Sequence, residues 1–217
     1  MIDTESRRVS MVNGQILPNK VTDERVTEAL LAVAREPFVP KSLRGVAYVD
    51  EDIPVGDGRY LLEPMVFARL LQEAEVKAHD VVLDIGCATG YSTAVLARLA
   101  GSVVALECDA ALADKANEML NQLDVDNAGV VTGELADGMP DQGPYDVIFM
   151  NGAVEQLPDS LKQQLADDGR LVVVQQGDGT GQAWVYRRHG DVIDGRPRFD
   201  AQVKRLPGFE AEQVFTF

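Results

Sequence analysis

The sequence contains few cysteines and few histidines, and this shortage argues against disulfide and metal sites. Its 217 residues include two of each. Cys87 and Cys108 are too few to form a metal-binding framework, and His79 and His189 are isolated, so we expect no metal centre. Both cysteines follow neighbouring predicted strands, which leaves a redox pair open. Reduced thiols are the usual state in the cytosol and are the favoured interpretation.

Basic residues are scarce relative to acidic ones. The chain has 20 Lys and Arg against 35 Asp and Glu, a formal net charge of −15. Because proteins bind the nucleic-acid backbone largely through Lys and Arg, we expect no nucleic-acid partner. The exception is a basic cluster near the C-terminus, for which a solvated surface hairpin is favoured over an anion-binding face. This basic cluster consists of Arg187, Arg188, Arg196, Arg198, Lys204 and Arg205.

Long apolar runs are missing as well. A transmembrane helix needs about 18 consecutive apolar residues, and the sequence has no such run, so no membrane partner is expected. The opening residues MIDTESRRVS lack the apolar core of a signal peptide, and the cytoplasm is therefore the expected location. The composition, 46% hydrophobic and 25% charged, is typical of a globular protein with one large domain or a domain with a short appendage.

One stretch organises the remaining chain. Residues 81–91, VVLDIGCATGY, predict a short buried strand, a tight glycine-bearing turn and the start of a helix. Asp84 is the lone acid in the strand, and a buried carboxylate is costly unless something binds it. Gly86 and Gly90 allow the backbone to turn sharply and to approach a bound molecule. The stretch therefore predicts a ligand-binding turn.

The spacing of this turn favours S-adenosylmethionine over a dinucleotide. A dinucleotide-binding turn has the pattern G-x-G-x-x-G, but Ala88 and Tyr91 occupy its second and third glycine positions and would crowd a diphosphate. S-adenosylmethionine carries no phosphate, and its amino group and sulfonium are cationic. An NAD site and a purely structural turn remain the alternatives. The predicted cofactor residues of the turn are Asp84, Gly86, Cys87, Ala88, Gly90 and Tyr91.

Further acids end the next predicted strands. Glu107 ends the strand 102–107 and is placed to accept hydrogen bonds from a ribose diol, with a surface carboxylate as the alternative. Glu134 ends the strand 129–134 and suits an adenine edge or a nearby water. The following residues, Cys108 and Leu135, belong to the same predicted cofactor site. A fourth strand, 145–151, exits at Asn151, which should overlook the methyl donor.

Strands and helices alternate along most of the sequence, which predicts an open, doubly wound, mostly parallel α/β sheet of the Rossmann-like type. Residues 1–80 are predicted to form a helical and irregular N-terminal appendage that borders the active site, and residues 81–217 the cofactor-binding core. The predicted helices include 7–15, 24–35, 92–99, 110–123 and 157–165, with one more beginning at Glu63-Pro64. Strands at 170–175, 183–187 and 213–217 complete the sheet, at least one of them antiparallel.

Several segments resemble the protein-L-isoaspartate O-methyltransferase family over nearly the whole chain. They include Arg35-Glu36-x-Phe38-Val39-Pro40, Ala47-Tyr48-x-Asp50, Gly56-x-Gly58, Asp84-Ile85-Gly86-x-x-x-Gly90-Tyr91, Gly133-Glu134 and Asp168-Gly169-Arg170-Leu171-Val172. The resemblance implies S-adenosylmethionine as cofactor, with Glu107 on the ribose and Glu134 near the adenine. It also implies repair of age-damaged proteins by methylation of the misplaced α-carboxylate of isoaspartate, so that the partner is a protein, a peptide or a small carboxylic acid.

The sequence departs from this family at the acceptor site. Family members carry a Gln-Thr-Ile-Ser-x-Pro-like segment, and here residues 59–64 read RYLLEP, which places Leu62 at the position of the serine. Asn151 stands where a threonine is common. The predicted substrate residues are therefore Tyr60, Leu61, Leu62 and Asn151, the last two also standing at the catalytic positions. Arg59 either pairs with a carboxylate in compensation or faces solvent from a loop.

The chemistry indicates how serious the departure is. A carboxylate with an ordinary pKa near ~4 is ionised at pH 7, so methyl transfer to it needs no general base and depends mainly on positioning. We expect an intact cofactor site with weak or redirected isoaspartyl activity. A methyltransferase for a different nucleophile, and a cofactor-binding protein without this activity, are the alternatives.

Overall fold

The computed structural model describes residues 3–177 and 179–210. The helices are α1 Thr4–Met11, α2 Glu24–Ala32, α3 Pro64–Ala74, α4 Tyr91–Leu96, α5 Ala110–Gln122 and α6 Asp159–Lys162. The strands are β1 Ile53–Gly56, β2 Arg59–Leu61, β3 Val81–Ile85, β4 Ser102–Glu107, β5 Ala128–Thr132, β6 Tyr145–Val154, β7 Leu165–Gln175, β8 Gln182–His189 and β9 Val192–Asp200. None of the helices in this described part is long and apolar enough to cross a membrane.

The main sheet has the strand order β5-β4-β3-β6-β7-β8-β9 within the described residues. Strands β3 to β7 run parallel, and β8 and β9 add an antiparallel hairpin at one edge. The predicted doubly wound, mostly parallel sheet is confirmed. Chain order reverses between β3 and β6, and ligands of such sheets bind beyond the carboxyl ends of the strands at this switch point.

The central strand β3 is buried on both faces, as its continuous apolar run predicts. Val82 packs into a core cluster with Phe67, Phe149 and Val172, while Leu83 and Ile85 pack into a second cluster on the other face. The alternating direction of side chains along a strand sends successive residues to opposite faces. Burial of both faces holds the switch point rigidly in the middle of the protein.

The N-terminal elements share the first core cluster with the sheet, since it includes Met11, Leu30 and Phe38. Arg35 is fully buried and donates hydrogen bonds to the carbonyl oxygens of Ala47 and Leu62, both at 2.8 Å. This guanidinium joins three separate segments of the N-terminal region. The predicted boundary near residue 80 stays a prediction.

The N-terminal region differs in detail from the prediction. Residues expected to be irregular form a two-stranded antiparallel hairpin of β1 and β2, separate from the main sheet, with Gly58 at φ +65° in its turn. The first helix does not end at Gly14, because its backbone continues in π-helical form over Val12–Ile16. Helix α2 ends at Ala32, before the predicted Arg35. The end of α2 is set by Val33, which leaves the helix with an extended backbone, φ −103° and ψ 113°.

The C-terminal region contains a strand that the sequence did not indicate, β9, which pairs with β8. The arginines of the basic cluster up to Arg198 lie on this hairpin, which confirms the predicted surface hairpin. Three of them form ion pairs, Arg187 with Glu75, Arg198 with Glu73 and Arg196 with Asp194. The predicted strand 213–217 lies outside the described residues.

Replacement of Arg170 tests the main buried ion pair of the sheet. Arg170 is 4% exposed, pairs with buried Asp80, and donates hydrogen bonds to the carbonyl oxygens of Ala74 at 2.6 Å and Glu75 at 2.6 Å. Arg170→Ala leaves a buried carboxylate without its cation, and we expect a loss of about 3–5 kcal/mol in the free energy of unfolding, measured by urea denaturation.

The control for this variant is Arg187→Ala, which removes a partly exposed pair with Glu75. Exposed pairs contribute about 0–1 kcal/mol, so the two variants should differ clearly. Equal losses would contradict the structural role of the Arg170 pair.

Candidate active site

The carboxyl ends of β3 and β4 bring two of the three predicted acids together. Asp84 lies one residue before the end of β3, and Glu107 is the last residue of β4; both are 0% exposed. Glu134 follows β5 by two residues and is exposed. The strand-end acids thus occupy one edge of the sheet in two different environments, buried for Asp84 and Glu107 and solvated for Glu134.

Asp84 is satisfied by hydrogen bonds from its own chain. Ser92 and Thr93, in the first turn of α4, donate from their hydroxyls to Oδ2 at 2.8 and 2.6 Å. Asn151 donates from Nδ2 to Oδ1 at 2.6 Å and to the carbonyl of Ile85 at 3.1 Å. Burial raises the pKa of Asp84 to about 6, against the opposing effect of these donors. The carboxylate therefore ties α4 and β6 to the central strand.

These contacts bear on two predicted roles. These three hydrogen bonds to the Asp84 carboxylate come from protein side chains, and its predicted role in cofactor binding stays a prediction. Asn151, predicted to overlook the methyl donor, directs its amide nitrogen to β3. Its neighbourhood is not the predicted strand exit, because β6 continues to Val154 with a pairing irregularity between Phe149 and Ala153.

The turn after β3 has the left-handed backbone that its glycines predict. Gly86 has φ +75° and Gly90 φ +90°, and Ala88 adopts φ +49° without being a glycine. A Cβ atom on Gly90 would lie 3.2 Å from the Cα of Ala116, so the close packing of the turn on α5 requires glycine there. All residues from 82 to 96 are buried.

The other predicted residues of the turn lie in the protein interior. The ring of Tyr91 packs against Phe38 and Phe67, with centroids 5.4 and 5.5 Å away. Cys87 is buried, and burial raises the pKa of its thiol. Cys108 lies on the neighbouring strand end, with its Sγ 3.3 Å from Oε1 of Glu107, and both thiols are free. Leu135 is buried in the second core cluster.

Glu107 forms an ion pair that the sequence did not predict. Arg59, 3% exposed on β2, donates from Nε to Oε1 at 3.0 Å and from Nη2 to Oε2 at 2.9 Å. The same Nη2 donates to the carbonyl of Gly86 at 2.9 Å. Burial alone would raise the pKa of Glu107, but Arg59 and the backbone N–H groups of Asp109 and Ala88 hold it below its ordinary value.

Of the two alternatives for Arg59, the structure shows the pairing with a carboxylate and not the solvent-facing loop position. That carboxylate belongs to the same chain. The signal in the sequence was that Arg59 replaces the glutamine of the family at this position. Its partner, Glu107, depends on the packing of the hairpin near the end of β4, which the sequence pattern does not specify.

Leu206 is a second residue that sequence reasoning missed. It lies in the segment 201–210, whose backbone bonds the end of β6: Leu206 N–H donates to Ala153 at 2.8 Å, and Ala153 N–H donates to Lys204 at 2.9 Å. Its side chain fills the space beside both Gly86 and Gly152, where added Cβ atoms would lie 2.7 and 2.8 Å from it. Leu206 therefore packs on the turn at Gly86, whereas α5 packs on it at Gly90.

The predicted substrate residues form a mostly apolar strip. Leu61 and Leu62 are buried, Leu62 at 3% exposed, and its carbonyl is held by Arg35. Tyr60 is half-buried, and Nζ of Lys204 lies 5.6 Å from its ring centroid. Leu62, at the position of the serine in the family, is thus buried and apolar in this protein.

The titration of Asp84 is a testable property of this site. Its pKa of about 6 in the folded protein exceeds the unfolded value near ~4, so the folded state binds the proton more tightly. The ionisation of Asp84 therefore lowers the free energy of unfolding. This loss is absent below about pH 4, grows between pH 4 and 6, and reaches about 3 kcal/mol above pH 6. The difference in unfolding free energy, wild type minus Asp84→Asn, should fall by this amount between pH 4 and 7.

Asp159→Asn is the control for that measurement. Asp159 is exposed, and its hydrogen bond to Lys162 lowers its pKa. The difference in unfolding free energy, wild type minus Asp159→Asn, should therefore rise with pH mainly below about pH 4 and stay nearly constant between pH 4 and 7. Chemical denaturation at several pH values measures both differences, and a pH-independent difference for Asp84→Asn would contradict the assignment.

The site and the fold agree with what comparison to known proteins finds. A family model described as protein-L-isoaspartate(D-aspartate) O-methyltransferase (PCMT) matches residues 7–197. A protein-L-isoaspartate O-methyltransferase from Methanoculleus marisnigri is 40% identical over 165 residues, which cover 76% of this chain and 75% of the relative. Another, protein-L-isoaspartate O-methyltransferase 1 from Rhodopseudomonas palustris, is 37% identical over 202 residues, covering 93% and 82%.

Solved structures show the same fold. One protein-L-isoaspartate O-methyltransferase superposes with a TM-score of 0.80 at 24% identity, covering 93% of this chain and 66% of that one. A Plasmodium falciparum beta-aspartate methyltransferase, in complex with S-adenosyl-L-homocysteine, superposes with a TM-score of 0.78 at 19% identity, covering 94% and 97%. The family match includes the β1–β2 hairpin, the glycine turn and the strand-end acids, and this chain belongs to the protein-L-isoaspartate(D-aspartate) O-methyltransferase family.

Proposed function

We propose that this protein is an S-adenosylmethionine-dependent carboxyl O-methyltransferase that methylates the α-carboxylate of isoaspartyl residues in proteins or peptides. The observation that carries the proposal is the family match over residues 7–197, together with relatives of that name at 33–40% identity. The strand-end acids and the glycine turn at the switch point of the sheet support it independently.

The cofactor is S-adenosylmethionine, and the chemistry of the site suits it. The carbonyl of Gly86 and the carboxylate of Glu107 are two buried acceptors close enough to bind one guanidinium group. Acceptors so placed match a ligand that carries cationic groups and a hydroxyl-bearing ribose. Glu107 would hold the ribose diol, and Glu134, Leu135 and Cys108 would border the adenine. When bound, the cofactor supplies a methyl group already activated by its sulfonium.

The protein then has only to position the acceptor. A carboxylate is ionised at neutral pH, so no side chain needs to remove a proton. A misplacement of about 1 Å can cost roughly 10²-fold in rate. Arg35 fixes the backbone of the predicted substrate residues 60–62 through the carbonyl of Leu62. The buried side chains of Leu61 and Leu62 exclude water from the inner side of this segment. Lys204 places a cation beside Tyr60 at the outer side.

The N-terminal appendage is part of this proposal as the region that borders the active site. Its hairpin supplies Arg59, and the predicted substrate residues Tyr60, Leu61 and Leu62 follow directly. Arg35, also in the appendage, anchors these residues through the carbonyl of Leu62.

A cytoplasmic location is a second part of the proposal, and the two free thiols of Cys87 and Cys108 support it.

A methyl-transfer assay tests the proposed function directly. Purified protein incubated with isoaspartyl peptide and methyl-labelled cofactor should incorporate label that mild base releases, as expected for a methyl ester. The matched control is the same peptide with a normal aspartate. Equal incorporation into the two peptides, or none into the isoaspartyl peptide, would overturn the proposed substrate.

The serine position provides a second prediction. A hydroxyl that hydrogen-bonds a charged group contributes about 1.5–3 kcal/mol, which corresponds to about 10- to 100-fold in rate. Leu62→Ser should therefore raise isoaspartyl methylation by that factor.

The matched control is Leu61→Ser, which makes the same change at the adjacent buried position. It should leave methylation unchanged or lower it, and thermal unfolding of both variants shows whether they remain folded. An equal effect of the two variants would argue against a special role for position 62.

A further inference from the structure

The acceptors predicted for the cofactor are both engaged by one side chain of the protein. The guanidinium of Arg59 bonds both carboxylate oxygens of Glu107, at 3.0 and 2.9 Å, and the carbonyl of Gly86, at 2.9 Å. A ribose diol placed on Glu107 would need the same oxygens. Arg59 and the ribose therefore exclude each other.

Arg59 offers Glu107 the same kinds of interaction, positive charge and hydrogen-bond donors, that the excluded ligand would offer. It carries a positive charge and several N–H donors, and it satisfies a buried acid that would otherwise be costly. The oxygens of Glu107 accept further bonds from the N–H groups of Ala88 at 2.6 Å and Cys108 at 3.0 Å. These backbone donors remain in place whichever partner occupies the remaining side of the carboxylate.

Arg59 and Leu206 together close the turn. An added Cβ on Gly86 would lie 2.8 Å from Nη2 of Arg59 and 2.7 Å from the side chain of Leu206. Glycine at this position thus has its open face covered by two side chains from outside the turn. This covering adds to the core packing of β3 and α4, and the whole predicted cofactor turn is buried.

The element that carries Arg59 lies outside the main sheet. The β1–β2 hairpin is a two-stranded sheet separate from the main one, with an irregular register between Pro54 and Gly56. Its inward side chains, Ile53, Val55 and Leu61, pack in the first core cluster. The tip, Gly56 to Gly58, is exposed. The bonds of Arg59 to Glu107 and Gly86 are made by its side chain alone, so the guanidinium can leave Glu107 without breaking a backbone hydrogen bond of the seven-stranded sheet.

We propose that Arg59 competes with the cofactor for Glu107 and holds the binding site closed until the cofactor displaces it. The inference rests on the proposed function, since it assigns the same carboxylate to the ribose. A site that must open before it binds has an apparent affinity reduced by the fraction of open molecules. Removal of the guanidinium should therefore tighten binding.

Calorimetric titration with S-adenosyl-L-homocysteine tests this. Arg59→Gln substitutes the family residue, which has no charge to pair with Glu107, and its dissociation constant should be at least about tenfold lower than that of the wild type. The matched control is Arg25→Gln, which removes the partly exposed pair with Asp23 in the N-terminal region and should bind within about twofold of the wild type.

The outcomes separate the inference from the proposed function. If the wild type binds and Arg59→Gln binds equally or more weakly, the competition is overturned and the proposed function stands. If neither protein binds at millimolar S-adenosyl-L-homocysteine, the cofactor assignment fails, and the inference fails with it. Thermal unfolding without ligand shows whether Arg59→Gln, which leaves a buried acid without its cation, is folded.

A crystal structure of the wild-type protein with S-adenosyl-L-homocysteine provides a readout that needs no variant. The guanidinium of Arg59 should have left Glu107, and the ribose hydroxyls should occupy its place. A complex in which Arg59 remains bonded to Glu107 would overturn the inference even if the variant fails to fold.

Discussion

A buried carboxylate at the tip of a strand has to be neutralised or hydrogen-bonded, and the arrangement around Glu107 follows from this requirement. Its oxygens accept bonds from Arg59 and from the backbone N–H groups of Ala88, Cys108 and Asp109. Through this one group the hairpin, the glycine turn and the start of α5 are held together. Our two proposals assign this same carboxylate to the ribose of the cofactor and to the contact with Arg59 that closes the site.

The second buried acid shows how the same residue type at the end of a neighbouring strand acquires a different role. Asp84 meets only uncharged donors, from Ser92, Thr93 and Asn151, and its pKa is raised, whereas the cation beside Glu107 keeps the pKa of that group low. Neutral donors satisfy the carboxylate oxygens without offsetting the loss of hydration of the charge. Asp84 thus joins α4 to the sheet through Ser92 and Thr93. The partner of Glu107 is the guanidinium of Arg59, which on our proposal the cofactor displaces.

The three departures from the family pattern are consistent with one another in space. Leu62 replaces a hydroxyl by an apolar side chain that packs in the core, Asn151 is bonded to Asp84, and Arg59 is bonded to Glu107. Each directs a group near the reaction centre toward a partner within the chain. The polar groups among them are thus satisfied within the chain, and on our proposal ligand binding exchanges the contact of Arg59 for contacts with the cofactor.

The sequence by itself determined the parallel strands β3 to β7, their alternation with helices and the position of the glycine turn, because buried parallel strands and left-handed turns require recognisable residue types. It also placed the acids at one edge of the sheet, since the carboxyl ends of parallel strands share that edge. Tertiary structure alone decided the partners of those acids. Arg59 is 48 residues from Glu107, and neither hydrophobic periodicity nor turn chemistry reports a contact between a separate hairpin and a strand tip. The same holds for Leu206, whose place beside Gly86 depends on a backbone bond to the far end of β6.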